Sequence, residues 1–208
     1  MLLAFLQYTM GADIKANSTR QERRKEMNIE TKLTGPDEAY IIKNMLPLYL
    51  HDLSGHYGLV EGHLPNRHGI FEDTDEYRTL ADQYEVQSIW WDKPDILYPW
   101  LILVDSLPAG FVRIATPPHC APGVDFFVND FFLLQPFRGM GIAEKAAVMV
   151  FEQYRGEWEL FTNPAAKNIT GQKFWRKTVS RYTQGQYSER TGETFDGHKL
   201  VFRFNNRG

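Results

Sequence analysis

The sequence predicts a single mixed α/β domain, α+β in its layering, with a mostly antiparallel central sheet flanked by helices and one βαβ unit at its centre. Three observations predict it. Strand-like runs at 98–104, 110–115, 182–190 and 198–205 come in pairs joined by turn-forming residues, the pattern of antiparallel hairpins. Val124 to Leu134 is a long strand too continuously hydrophobic to face water on either side. An alanine-rich helix and a short strand follow it directly, which is the alternation that yields a parallel pair. The chain has 208 residues, 43% hydrophobic and 24% charged, the balance of one globular domain.

Taken in order, residues 1–28 read as a poorly ordered N-terminal tail before a domain at 29–208. The apolar run Leu2 to Leu6 has no basic flank before it and is too short to span a bilayer. Residues 18–26 are polar without apolar period, and Met27 is a candidate natural start. A helix is expected from Pro36 to Leu53, capped by Thr34, with Asp37 and Glu38 at its positive end. Ala39, Ile42, Leu46, Tyr49, Leu50 and Leu53 fall on one face, and Pro47 should kink or split it. Residues 54–72 read as a long loop, 73–83 as a short helix, and Trp90-Trp91 as part of an aromatic stretch.

The two strands after that are joined across Asp105 to Ala109. Beyond the long central strand, Ala143, Ala146, Ala147, Val150, Phe151 and Tyr154 mark the buried face of a second strong helix, ended by Gly156. Glu157 to Thr162 is a short strand, and a third helix runs from Ala165 or Asn168 to Ser180. Tyr182 to Arg190 and His198 to Asn205 close the chain as a hairpin around residues 191–197.

A formal charge of −3 gives no basic field, so bulk nucleic-acid binding has no support, and no segment suits a membrane. The single cysteine, Cys120, excludes an intramolecular disulfide and suits a reducing compartment, so a cytoplasmic location is expected. His51, His56, His63 and His68 lack thiolate partners and a fixed structural-zinc spacing, so no metal is expected.

The segment that carries chemistry runs from Phe131 to Ala143, where a buried strand enters Arg138-Gly139-Met140-Gly141-Ile142-Ala143 and becomes a helix. The first amides of a helix lack internal partners and sit at its positive end, which suits an anion. Glycines allow close backbone approach, and Arg138 adds a charge-assisted donor. A P-loop would need a lysine and Ser or Thr after the second glycine, and neither is present. A dinucleotide fingerprint would need glycine where this chain has Glu144. A purely structural strand-to-helix turn is the other reading of these glycines.

In this segment the chain resembles the GNAT superfamily of acyl-CoA N-acetyltransferases. Arg138, Gly141 and Ala143 fall on that family's pyrophosphate motif, and Asn168 to Trp175 is similar to its second motif, an asparagine preceding an aromatic pair. The resemblance covers residues 29–205. It implies direct acetyl transfer from acetyl-CoA, as co-substrate, to an amine of a small molecule or peptide. It implies that Leu133 and Leu134 hydrogen-bond the pantetheine through their backbone, that residues 138–143 hold the pyrophosphate, and that Asn168 contacts the cofactor or caps its helix.

Asp130, eight residues before Arg138, is the candidate base. Strand alternation puts it with Phe132 and Leu134, opposite Asn129, Phe131 and Leu133, unless a bulge intervenes. Among phenylalanines its pKa should be raised; the other reading is an aspartate paired with a nearby arginine. Many family members place an acidic tyrosine where this chain has Trp175, which reads as packing, and Tyr182 is then a candidate acid, with water the alternative.

By the same resemblance the first helix and its loop shape the acceptor site, offering Tyr49, His51, Asp52, Glu61, Glu72 and Asp73. That group suits a cationic amine or is a solvated face. Trp90, Trp91 and Trp100 read as core or interface. A non-catalytic acyl-CoA-binding module and an interaction protein on the same fold are the other functions, and the resemblance, by family habit, also suggests a homodimer through the C-terminal strands.

Overall fold

The computed structural model describes residues 27–60 and 62–208. The expected tail lies outside them up to residue 26, as does Glu61. Among the described residues seven strands form one sheet: β1 Ile29–Leu33, β2 Leu97–Val104, β3 Leu107–Ala115, β4 Phe126–Leu133, β5 Glu157–Thr162, β6 Tyr187–Thr194 and β7 Gly197–Asn205. Their order is β1-β2-β3-β4-β5-β7-β6, with β4–β5 the parallel pair and every other neighbour antiparallel. Among the described residues five α-helices accompany them: α1 Ala39–Tyr57, α2 Leu80–Val86, α3 Ile89–Asp92, α4 Ile142–Phe151 and α5 Ile169–Tyr182.

Two apolar layers bury the sheet from opposite faces. Ile142, Ala146, Ala147, Val150 and Phe151 of α4, with Trp175 and Val179 of α5, pack on Trp100, Val112, Trp158 and Phe202. On the other face Ala39, Ile42, Met45 and Leu46 of α1 and Trp90 and Trp91 of α3 pack on Leu101, Phe111, Phe127 and Phe132. The three tryptophans at 90, 91 and 100 are thus core, as their apolar area favours. Among the described residues no helix is long and apolar enough to cross a membrane.

Several boundaries differ from the sequence reading. β1 is an additional edge strand; Ile29, Thr31 and Leu33 alternate, but five residues carry too short a period to stand out against a polar lead-in. Thr34 does not cap α1. Its hydroxyl donates to the Pro99 carbonyl at 2.9 Å and accepts from Trp91 Nε1 at 3.2 Å, tying the β1–α1 turn to the core.

α1 continues through Pro47 to Tyr57 as one helix. Its fully buried residues all precede the proline; beyond it Tyr49 and Leu50 still pack against the core. Asp105 and Ser106 alone make the β2–β3 turn, both with positive φ, where the sequence suggested five residues. α4 ends at Phe151, not at Gly156, and Tyr182 closes α5 and does not open β6. The last hairpin turns on Phe195 and Asp196, so the 191–197 segment is mostly strand.

β3 and β4 approach so closely at Gly110 that an added Cβ would overlap the Phe132 carbonyl oxygen and sit 2.9 Å from Leu133 Cα. Gly110→Ala should therefore cost about 2–4 kcal/mol in urea unfolding, because backbone must move. Gly55→Ala, in α1 with open space around it, should be neutral or stabilise by up to about 1 kcal/mol. Equal stabilities for the two variants would contradict the close strand approach.

Candidate active site

β4 and β5 pair over only three residues, Phe126 to Val128 against Trp158 to Leu160, and then part. Pairing on the other edge of β4 shifts from Ile114↔Val128 to Arg113↔Asp130, which leaves Asn129 as an extra residue. Such a bulge bends its strand and resets which face each side chain takes. Asp130 and Phe132 then face α1, while Phe131 and Leu133 face α4 and α5, so the expected alternation holds only beyond Asn129.

The parted strands open a cleft of about 580 Å³. Tyr49, Asp52, Leu53, His56 and Tyr57 of α1 line one wall, Thr170, Gly171, Phe174 and Trp175 of α5 another. Arg138, Gly139 and Ala143 close one end, and Asp196 and Lys199 come from the last hairpin.

The glycine loop is shaped by backbone angle. Gly139 and Gly141 have φ of 75° and 79°, a region that side chains disfavour, and Gly141 is the N-cap of α4. Both face open space. Among the described residues Ile142, Ala143 and Glu144 donate their N–H groups to no protein acceptor, so the start of α4 keeps its capacity for an anion. The side chains of Met140 and Ile142 turn into the core beneath it.

Arg138 lies across the cleft end. Its Nε donates to the Leu133 carbonyl at 2.6 Å, its Nη2 pairs with the Asp52 carboxylate, and its guanidinium sits 5.6 Å from the Phe132 ring. Of the Leu134 backbone, the N–H is donated to the Ala109 carbonyl at 2.8 Å and the carbonyl accepts from Phe137, so only the second lone pair of that carbonyl is left for a ligand. Asn168 is 6% exposed and stands at the N-cap of α5 without capping through its side chain. Nδ2 instead donates to Thr162 Oγ1 at 2.7 Å and the Asn163 carbonyl at 2.8 Å, fastening the end of β5 to α5. Gly171 accommodates it: a Cβ there would collide with the Asn168 amide.

Asp130 is buried beside a partner that the sequence did not single out. Arg113 Nε and Asn129 Nδ2 each reach Asp130 Oδ2 at 2.6 Å. Arg113 also bonds Gln87 and stacks 4.6 Å from the Trp90 ring centroid. An arginine within an apolar strand, opposite the one carboxylate of β4, was the available signal. Tyr49 faces this pair; burial, then the Asp130 charge, pushes its pKa well above the ordinary tyrosine value, with Arg113 opposing.

Tyr182 is not placed to act as an acid in the cleft. It packs against Phe151 and Phe204, and its hydroxyl accepts from Asn206 at 3.0 Å. Phe151 ends α4, whereas Gly141 begins it, roughly 15 Å away at the helical rise. Trp175 is buried against Phe131 and Phe174, as a packing residue is.

Of the acceptor-side group, Tyr49 and Asp52 line the cleft. His51 is exposed with its ring against Phe71, Glu72 bonds Gln83, and Asp73 does not line the cleft. Two further lining residues went unread: Tyr57 and Lys199, whose Nζ donates to the Tyr57 hydroxyl at 2.7 Å. They lie 142 positions apart, and no local pattern joins them. Among the described residues no group of three His, Cys, Asp or Glu is placed to hold a metal ion.

No family model and no curated protein sequence matches the chain. Solved structures do match its fold. A chain from Desulfovibrio desulfuricans assigned to the GNAT family of acetyltransferases aligns at TM-score 0.52 and 11% identity, covering 86% of this chain and 99% of that one. AAC(6')-Ib in complex with ribostamycin and coenzyme A aligns at TM-score 0.58 and 14% identity, covering 86% and 94%. A ribosomal-protein-S5-alanine acetyltransferase from Vibrio fischeri aligns at 0.54 and 12%, covering 86% and 93%. The chain thus has the fold of the GNAT acetyltransferases.

The buried Arg113–Asp130 pair carries a stability prediction. Arg113→Met leaves a carboxylate buried without its cation, which should cost about 3–5 kcal/mol in denaturant unfolding at neutral pH. A loss under 1 kcal/mol would mean that water reaches the pair.

Proposed function

We propose that this protein is an N-acetyltransferase that moves an acetyl group from acetyl-CoA directly to an amine of a small molecule or peptide. One observation carries the reading: the cleft between the parted β4 and β5 ends at the unpaired start of α4. A thioester chain lying between the strands would put its diphosphate on those amides, with Arg138 adding a cation. The residues fit that group in charge and in shape. Solved structures of the same fold hold coenzyme A, and two of them are named for acting on, or are bound to, amine-bearing molecules.

Acetyl-CoA supplies an activated acyl carbon; the chain's own groups orient it and manage protons. Leu133 offers its carbonyl toward the cleft once Arg138 turns to the diphosphate, and Gly139 and Ala143 border that end. Asn168 fixes the β5–α5 wall and does not bond the cofactor through Nδ2, both of whose hydrogens have protein partners. Asp130 is the carboxylate that lines the cleft from the central strand, and it takes the proton of the attacking amine. Its Oδ2 is occupied by Arg113 and Asn129, and neither of them reaches Oδ1. Tyr49 and Asp52 lie on the acceptor side, where Asp52, released from Arg138, faces a cationic amine.

Cys120, without a disulfide partner, suits a reducing cytoplasmic setting. A homodimer would use the edge of β6, the last strand of the sheet.

Trp175 favours a second reading, a module that binds acyl-CoA without turnover, because indole supplies no acid. Calorimetry with acetyl-CoA and a free-thiol assay over a panel of amines decide between them. Binding with thiol release for at least one amine is expected; binding with none supports the module, and no binding removes both. Arg138→Ala should weaken acetyl-CoA binding by about tenfold, the worth of one charge-assisted hydrogen bond. Asp130→Asn should lower kcat/KM by about 100-fold or more on the best amine. Unchanged turnover in that variant rules out Asp130 as the base.

A further inference from the structure

The transfer proposed above also has a proton to supply. When the carbon–sulfur bond breaks, its electron pair goes to sulfur, and the departing thiolate needs an acid. Trp175 cannot serve, and Tyr182 stands at the wrong end of α4. Among the described residues two tyrosines line the cleft, Tyr49 and Tyr57, and they differ in what holds their oxygens.

Tyr49 faces a carboxylate, which only accepts, so its phenolic proton is drawn to Asp130. Tyr57 faces an ammonium. Lys199 has no lone pair to offer, so at 2.7 Å the phenol oxygen must be the acceptor and its own proton is left to be given elsewhere.

The arrangement is fixed from several sides. Lys199 is 4% exposed and is also held by Asp196 Oδ2 at 3.1 Å. Burial works against its charge, but the bonds to Tyr57 and Asp196 outweigh it and raise its pKa above the usual lysine value. The Tyr57 ring stacks on His63, centroids 3.5 Å apart and planes within 12°. Lys199 precedes Leu200, which pairs with Thr162 beyond the point where β4 and β5 have parted. The pair therefore stands at the open part of the cleft that Trp175 also lines.

We propose that Tyr57 is the general acid of the transfer, giving its hydroxyl proton to the departing thiolate, with Lys199 positioning the phenol and balancing the phenolate. This rests on the transferase reading. The carbon–nitrogen bond forms and the carbon–sulfur bond breaks. Sulfur keeps the electron pair and takes the Tyr57 proton to become a free thiol. The proton lost by the amine returns to the phenolate through solvent. Nothing is oxidised or reduced.

The test compares wild type, Tyr57→Phe and Lys199→Met with two acyl donors: acetyl-CoA, and the acetyl thioester of thionitrobenzoate, whose thiolate leaves without a proton. Tyr57→Phe keeps the ring stacked on His63 and should lower kcat with acetyl-CoA by about 100-fold, the lower end for a lost general acid. Its acetyl-CoA dissociation constant by calorimetry should stay within about twofold, since the phenol adds little to ground-state binding. Its deficit in kcat/KM should shrink to less than about threefold with the aryl thioester, which needs no acid. Lys199→Met, which keeps the phenol, should show a smaller loss with the same dependence on donor. A Tyr57→Phe rate within twofold of wild type, or the same deficit with both donors, overturns the assignment and leaves the transferase reading standing. A wild type that binds acetyl-CoA yet releases no thiol with any amine defeats the transferase reading, and this assignment with it.

Discussion

The parting of β4 from β5 is the constraint on which the rest of the molecule depends. A parallel pair normally continues until its strands end, because each unpaired amide and carbonyl in a buried sheet is costly. Here pairing stops after three residues, and the bulge at Asn129 gives the physical reason. Beyond the bend the second half of β4 no longer pairs with β5. The backbone thus left without a strand partner borders the cleft, and Arg138 already satisfies one of its carbonyls. A feature that would be a defect in a closed sheet is what makes room for a ligand.

The bulge also decides where charge is buried. By moving Asn129 out of the alternation it turns Asp130 toward the α1 face, directly opposite Arg113. Removing both charges from water is expensive, and such a pair persists where its hydrogen bonds are complete. Arg113 meets Asp130 through Nε, Gln87 through Nη1 and the Trp90 ring with its planar face. Lys199 has a parallel situation on the last hairpin, with Tyr57 and Asp196 around one ammonium. Both clusters border the same cleft, and each fixes a side chain, Asp130 or Tyr57, whose chemistry concerns protons.

α1 joins these parts. Its first half is core; its second half, beyond Pro47, carries Tyr49 near Asp130, Asp52 on Arg138 and Tyr57 on Lys199. One helix therefore touches the β4 carboxylate, the loop at the start of α4 and the final hairpin. Under the proposed function, a diphosphate drawn to Arg138 would compete with Asp52, and donor binding would be linked to the acceptor side through a single ion pair. The pair is partly exposed to solvent, and the coupling it transmits is correspondingly modest.

Much of this was legible in the chain itself. Continuous hydrophobicity identified β4 as a central strand, alanine periodicity identified α4, and glycines beside Arg138 marked the strand-to-helix turn where the proposed diphosphate would sit, because those signals are local and follow from backbone geometry. The sequence also named Asp130, Arg138 and Asn168 as residues that matter and Trp175 as packing. What it left undecided are the relations between distant residues. Whether Asp130 stood among phenylalanines or against an arginine turned on a one-residue shift in register. Only the tertiary structure brings Arg113 to Asp130, Lys199 to Tyr57 and Asp52 to Arg138, and turns Tyr182 to the far end of α4, because pairing across a sheet is set by packing and leaves no periodic trace along the chain.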